Sequence, residues 1–260
     1  MKFLRRIDVR ALLIMTIALV LAPAAFAQTD EIQVYDAVIA EPGVVNLMLH
    51  NNFTPSGQKT PAFPGGLIPD RSDNGALEWA YGVTDWFEAG LYMPLYSFYS
   101  KGRGATINGG KIRMLFVKPH ADDHTFFYGM NFEFSYNAKH WDPDRFTSEI
   151  RPIIGLHLHP IDIIVNPILD NSYKGGFKSL DFAPSMRVAY NFSSDWAGAI
   201  EEYADMGELR QLLPRAEQSH QLWAVVDRGS KVLAIEAGIG FGLTSASDKV
   251  TLKLMLSRDI

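Results

Sequence analysis

Beyond Gln28 the chain alternates between apolar and polar or small residues over most of its length. In His124–Tyr136, for example, Phe126, Tyr128, Met130, Phe132, Phe134 and Tyr136 fall on one side, while Gly129, Asn131, Glu133 and Ser135 fall on the other. The same period of two runs through Leu77–Val83, Phe87–Leu95, Leu233–Leu243 and Val250–Leu256. Such a period marks a strand with two unlike faces, and no segment after Gln28 carries the 3.6-residue stripe of an amphipathic helix. Twelve candidate strands result, beginning near Gly43, Ala76, Trp86, Lys111, His124, Thr147, Ile161, Ser179, Asp195, Gln221, Lys231 and Asp248.

The connections alternate too. Thr84-Asp85, Lys118–Asp123, His159-Pro160, Ser193-Ser194 and Asp227–Gly229 are short, whereas Thr54–Asn74, Ser97–Gly110, Asn137–Phe146, Pro167–Lys178 and Asp205–His220 are longer. Only Thr244–Ser247 is brief where a long link is due. Short turns on one rim and long loops on the other predict an all-β fold, a transmembrane antiparallel up-and-down β-barrel of about twelve strands. The physical reason is the solvent: in hydrocarbon every backbone N–H and C=O must pair internally, so a sheet spans only when it closes on itself. Tyr81, Phe87, Tyr190, Trp196 and Phe241 are expected as an aromatic girdle beside the short turns. Alternation alone also fits a soluble sandwich or a lipocalin-like barrel. Pro94, Pro152 and Pro184 fall inside candidate strands, where each removes a ladder donor, and a bulge is expected at Pro184.

Lys2, Arg5, Arg6 and Arg10 precede an apolar run, Ala11–Leu21, that ends at Ala25-Phe26-Ala27. This is the build of a secretory signal peptide with cleavage before Gln28. Its removal takes away four basic residues and one acid, moving the net charge from −5 to −8. The expected organisation is a signal peptide over 1–27, a segment of open structure over 28–41, and a barrel over 42–260. Thr29–Glu41 alternates weakly and is compatible with an extra strand, a plug or a periplasmic tail. Composition narrows the function: there is no cysteine, which removes disulfide scaffolds, thiolate metal sites and cysteine nucleophiles. The negative charge with no basic stripe argues against a nucleic-acid partner.

Two hairpin phrases stand out, Tyr81-Gly82-Val83-Thr84-Asp85 with Phe87-Glu88-Ala89-Gly90-Leu91, and Phe241-Gly242-Leu243-Thr244 with Ser247-Asp248. Together with Glu149-Ile150-Arg151-Pro152-Ile153, Asn166-Pro167-Ile168 and Glu201 ahead of Tyr203-Ala204-Asp205-Met206-Gly207, the chain resembles bacterial outer-membrane barrels catalogued as transporters of the phenol-degradation MetA-pathway type. The resemblance covers Glu41 to Arg258. It implies a porin-like barrel in the bacterial outer membrane and transport of small, hydrophobic or aromatic molecules.

By strand parity Glu78, Glu88, Glu133, Glu149, Asp181, Glu201 and Glu236 face the lumen together with Lys111, Arg113, Arg151, Arg187 and Lys253. Charges kept from bulk water need partners, so one reading is an ion-pair network that stiffens the barrel. The other is a permeation path whose charged rings set selectivity. His157 and His159 share a strand face, but no third metal ligand is identifiable. Asp142, Asp144 and Glu149 flank a long outer loop that is expected to be solvated. Asn52-Phe53-Thr54 and Asn191-Phe192-Ser193 match a glycosylation pattern by coincidence. The outward face is apolar, and no nucleophile elbow or metalloprotease motif is present. The expectation is a non-enzymatic, monomeric channel, with lipid and a small solute as partners and neither cofactor nor metal; a plugged structural or surface-binding barrel is the alternative, ahead of an outer-leaflet hydrolase.

Overall fold

The computed structural model describes residues 31–99, 104–174, 176 and 179–260; the expected signal peptide lies outside these. The first half of the chain contributes β1 (Val45–Ser56), β2 (Ser72–Thr84), β3 (Phe87–Tyr99), β4 (Gly104–Val117), β5 (Phe126–Asn137), β6 (Phe146–His157) and β7 (Ile161–Asn166). The second contributes β8 (Leu169–Asn171), β9 (Leu180–Phe182), β10 (Ser185–Asn191), β11 (Trp196–Asp205), β12 (Ser219–Arg228), β13 (Ala234–Gly242) and β14 (Val250–Asp259). Among the described residues the only helical piece is one 3-10 turn, Ala121–Asp123. Each strand pairs antiparallel with its neighbours, and β14 returns to β1 through Asn46↔Asp259 to Phe53↔Leu252. With β5 also paired to β6, the sheet is a closed ring.

Twelve crossings come from fourteen strands because two crossings are interrupted. β7 and β8 both pair with β6, at Ile154–His157 and at Ser148–Ile150, and are separated by Pro167-Ile168. Opposite them, β9 and β10 pair with β8 and β7 and are separated by Ala183-Pro184. The bulge expected at Pro184 is therefore a break, matched by a second break at Pro167. A proline nitrogen has no hydrogen to donate, and two of them facing each other end both ladders at one height. One backbone bond, Ala183 N–H to the Ile168 carbonyl at 3.1 Å, bridges the gap. Pro94 instead falls at the register shift between Tyr92 and Leu95, where a missing donor is not felt.

The long link expected over Ser97–Gly110 is largely strand. β3 and β4 run on through Tyr96↔Ile107, Ser97↔Thr106 and Phe98↔Ala105. The run of small residues at Gly109-Gly110 lowered the apolar signal there without stopping the pairing. Phe241 is a further correction: it sits near the end of β13 beside Thr244–Ser247, on the long-loop rim, away from Tyr81, Phe87, Tyr190 and Trp196.

The outer face carries the apolar set. Trp79, Tyr81, Leu91, Phe134, Ile154, Val188, Ile200 and Leu252 are all exposed around the ring, which is the lipid-facing band of a membrane barrel. The inner face holds interlocks of ring on glycine: a Cβ at Gly155 would fall inside the Phe127 ring, and one at Gly240 inside the Trp223 indole. Phe127 and Trp223 are consequently both fully buried in the bore.

Residues 31–41 form no ladder. They run as an extended strap inside the barrel and leave by the short-turn rim, where Gly43 N–H bonds the Gly82 carbonyl at 2.8 Å. Of the three structures compatible with the sequence, residues 31–41 adopt the plug. Val34, Tyr35 and Ala37 pack on Leu115, Phe127, Ile153 and Ile164 of one wall. Ile32 packs on Ala189, Ala199, Trp223 and Val225 of the opposite one.

Candidate functional site: the charged bore and its strap

The lumen is built from the alternate residues that turn away from lipid. Between mid-height and the short-turn rim these residues form three ionic clusters. In the first, His50 Nε2 lies 2.9 Å from Glu78 Oε2, Arg113 lies 2.9 Å from Glu78 Oε1, and Arg113 also bonds Glu88. In the second, Lys111 Nζ is 3.0 Å from Glu133 Oε2 and Arg151 grips Glu149 through two bonds of 2.7 and 3.0 Å. In the third, Arg187 bonds Glu201 and Asp227, while Lys253 Nζ sits 2.6 Å from Glu201 and 2.5 Å from Glu236.

Strap residues complete these clusters. Glu31 stands between Lys111 at 3.6 Å and Arg151 at 3.3 Å. Lys253 also donates to the Ile32 carbonyl at 3.3 Å, and Ala40 N–H donates to Glu88 at 2.6 Å. Arg151 lies over the Tyr35 ring, 4.3 Å from its centre. The Tyr35 hydroxyl meets that of Tyr92 at 2.7 Å. Asn166 holds the strap backbone at both polar atoms: its Oδ1 accepts from Tyr35 N–H at 2.7 Å, and its Nδ2 donates to the Tyr35 carbonyl at 3.0 Å. Asn166 ends β7 at the Pro167 break, so one side-chain amide supplies what a neighbouring strand would.

Of the twelve charged residues assigned to the lumen by parity, eleven take part in these clusters. Asp181 does not; among the described residues it has no ion pair. It closes an acidic row, in which Glu133↔Glu149, Glu149↔Asp170 and Asp170↔Asp181 are direct cross-strand partners and Asp181 bridges Glu208. Parity did not single out Glu31, Tyr35, His50, Tyr92, Asp170 or Asp227. Tyr92 was findable, since it sits at an inward position of a clearly alternating strand, whereas the unbroken apolar run Leu47-Met48-Leu49 blurs the parity ahead of His50. Asp170 and Asp227 lie within links as the sequence divides them. Glu31 and Tyr35 gave no periodic signal because they belong to no sheet.

Toward the long-loop rim the inner wall formed by β1 to β4 and β14 becomes neutral. Ser97 donates to Asn74 Oδ1 at 2.6 Å, Asn108 donates to Ser97 at 2.7 Å, and Thr54 meets Thr251 at 3.3 Å. The loops above fold inward, with Leu67 N–H bonded to the His140 carbonyl at 3.1 Å and both Leu67 and Trp141 buried. In these loops Asp142 accepts from the Asp144 N–H at 2.7 Å, and Asp144 pairs with Lys174 at 2.5 Å. Burial pushes the Asp142 carboxyl above its usual range, against the pull of that backbone bond. His157 Nδ1 lies 2.7 Å from Asp162 and its ring stacks on Phe127. Among the described residues no group of His, Cys, Asp and Glu has the geometry of a metal site.

A closed antiparallel ring, charged within and apolar without, can satisfy its backbone in a bilayer. The chain is a β-barrel of the bacterial outer membrane. No family model matches the sequence, and no curated protein does. Among solved structures the barrel is similar to an outer membrane channel from Pseudomonas putida F1, at 13% identity over 88% of this chain and 100% of that one, with a TM-score of 0.59. It is also similar to the translocator domain of the autotransporter NalP from Neisseria meningitidis, at 8% identity over 96% of each chain and a TM-score of 0.42. LpxR from Salmonella typhimurium is matched at 6% identity over 82% of this chain and 99% of that one, with a TM-score of 0.40. At these identities the likeness is one of fold.

Proposed function

We propose that the barrel is a passive channel for small molecules whose conductance depends on the position of the strap. The observation that carries this reading is how the bore is obstructed. The wall closes on itself through backbone ladders that do not involve residues 31–41. The obstruction is an extended segment held by side chains, and its removal would leave the wall intact. Space remains beside it: Asp36 is exposed, and Val38 is 58% exposed although the neighbouring Ala37 is buried against the wall. Displacement of the strap would uncover Glu236, Arg187 and Lys253 on one side and Glu88, Glu78 and Arg113 on the other, giving mixed rings of charge. The finer reading, uptake of hydrophobic or aromatic molecules, rests on the family resemblance of the sequence, and the channel unit is taken as a monomer.

The strap also favours a second reading, a permanently plugged barrel with a structural role. Recording in planar bilayers separates the two. Asn166→Leu removes both bonds to Tyr35 while keeping the side-chain volume, and is expected to raise the open probability at least several-fold over the parent protein. If parent and variant both stay silent over a wide voltage range while each shows the heat-dependent gel shift of a folded barrel, the channel reading fails.

A further inference from the structure

The outer face of the barrel is interrupted by a polar pocket near the long-loop rim. Glu202 is the outward residue of β11 directly opposite Leu222, three residues below the strand's end at Asp205. Its neighbours Glu201 and Tyr203 point into the bore. His220, the second residue of β12, points outward as well, and its Nδ1 lies 3.0 Å from Glu202 Oε1. An ionisable pair on the lipid face of a membrane protein is expensive, and its default interpretation is functional.

The loop after β11 folds over this pair and makes a pocket of about 310 Å³ lined by Glu202, Arg215, Gln218, His220, Leu243 and Thr244. Its interior is already ordered. Gln218 Nε2 donates to the Leu213 carbonyl at 2.7 Å, which turns its Oε1 toward His220 Nε2 at 3.0 Å. Both imidazole nitrogens thus have an oxygen partner, Glu202 on one side and Gln218 on the other. Thr244 donates to the Gln218 carbonyl at 2.7 Å, fixing the floor. Arg215 differs from its surroundings: it is exposed at the mouth and makes no hydrogen bond or ion pair with a described residue. A guanidinium left open presents a planar fork of donors suited to a phosphate. The free oxygen of Glu202 offers an acceptor for a hydroxyl or amine beside that phosphate. Below the pocket the wall is Leu222 and Phe241, both exposed, which would lie along acyl chains.

We propose that this pocket binds the headgroup of an outer-leaflet lipid that carries a phosphate next to hydroxyl or amine donors, with Arg215 on the phosphate and Glu202 on the donors. The site lies outside the bore and is independent of transport.

The test is native mass spectrometry of the full-length protein in mixed micelles containing a bis-phosphorylated glucosamine-disaccharide lipid. The parent protein is expected to retain one lipid. Arg215→Gln, an exposed change in a turn, is expected to retain it at least about five-fold less, as loss of a charge-assisted contact implies. Glu202→Gln should weaken retention of the same lipid less than Arg215→Gln does. Arg228→Gln, at the far end of β12, should change nothing. Equal retention of the dephosphorylated lipid, or undiminished retention by Arg215→Gln, overturns the proposal. Displacement of the lipid by millimolar inorganic phosphate would also overturn it, since the ligand would then be a soluble anion.

Discussion

The two halves of the wall are made differently. From β2 to β6 the ladders run almost rim to rim; β3 and β4 pair from Phe87↔Phe116 to Tyr99↔Gly104, and β5 and β6 from Phe126↔Leu156 to Tyr136↔Phe146. Between β6 and β10 the wall is a patchwork. β7 pairs with β6 only over Ile154↔Val165 to His157↔Asp162, and β8 and β9 share only Leu169↔Phe182 to Asn171↔Leu180. The continuous half presents a smooth apolar inner patch on which the strap lies. The interrupted half supplies the side-chain amide of Asn166 that pairs with the strap backbone.

The largest expected effect removes the central cation of the third cluster. Lys253 is 3% exposed and serves Glu201, Glu236 and the strap carbonyl of Ile32. Lys253→Met leaves Glu201 and Glu236 to share Arg187 alone, in a low-dielectric bore where breaking one partner of a buried pair costs about 3–5 kcal/mol. It should lower the temperature of the heat-dependent gel shift clearly, and an unchanged transition would mean that water already solvates the cluster. Next come the ring-on-glycine interlocks. Gly155→Ala forces Phe127 off its seat and should cost about 1–3 kcal/mol. In denaturant titrations from lipid vesicles, Gly229→Ala, whose Cβ would meet only the Asp195 carbonyl at 3.9 Å, should cost less.

Much of this was legible in the alternation. Parity placed charged residues such as Glu78, Arg113, Glu201 and Lys253 on the same face because a pleated strand leaves no other choice. Partners were not legible, since pairing of Arg187 with both Glu201 and Asp227 depends on register across three strands. The strap was invisible for a different reason. Residues 31–41 have apolar atoms facing two walls and polar backbone facing side chains, so they carry neither period. The double break was half-visible: Pro184 marked it, but Pro167 had been absorbed into a link.

A smaller effect sharpens the comparison between the halves. In hydrogen–deuterium exchange, amides of β8 and β9 should exchange well ahead of those in β3 and β4, because short ladders open at lower free energy. Uniform protection would mean that the single bond from Ala183 to Ile168 holds the gap as well as a full ladder does. The smallest change expected is from Pro184→Ala. It returns a donor to a site whose opposite neighbour is still interrupted at Pro167, and should alter stability by no more than about 0.5 kcal/mol, while protection at residues 180–185 rises modestly if any new bond forms.

The closing register of the ring carries an implication for biogenesis. Asn46 and Asp259, which hydrogen-bond at 2.8 Å across the β1–β14 seam, are 213 positions apart. The hoop is therefore fastened by strands from opposite ends of the polypeptide, and the segment inside it is continuous with the first of them. Either that segment is laid in the groove of a still-open sheet before the clasp zips shut, or it must be threaded afterwards through a gate already crowded with paired charges.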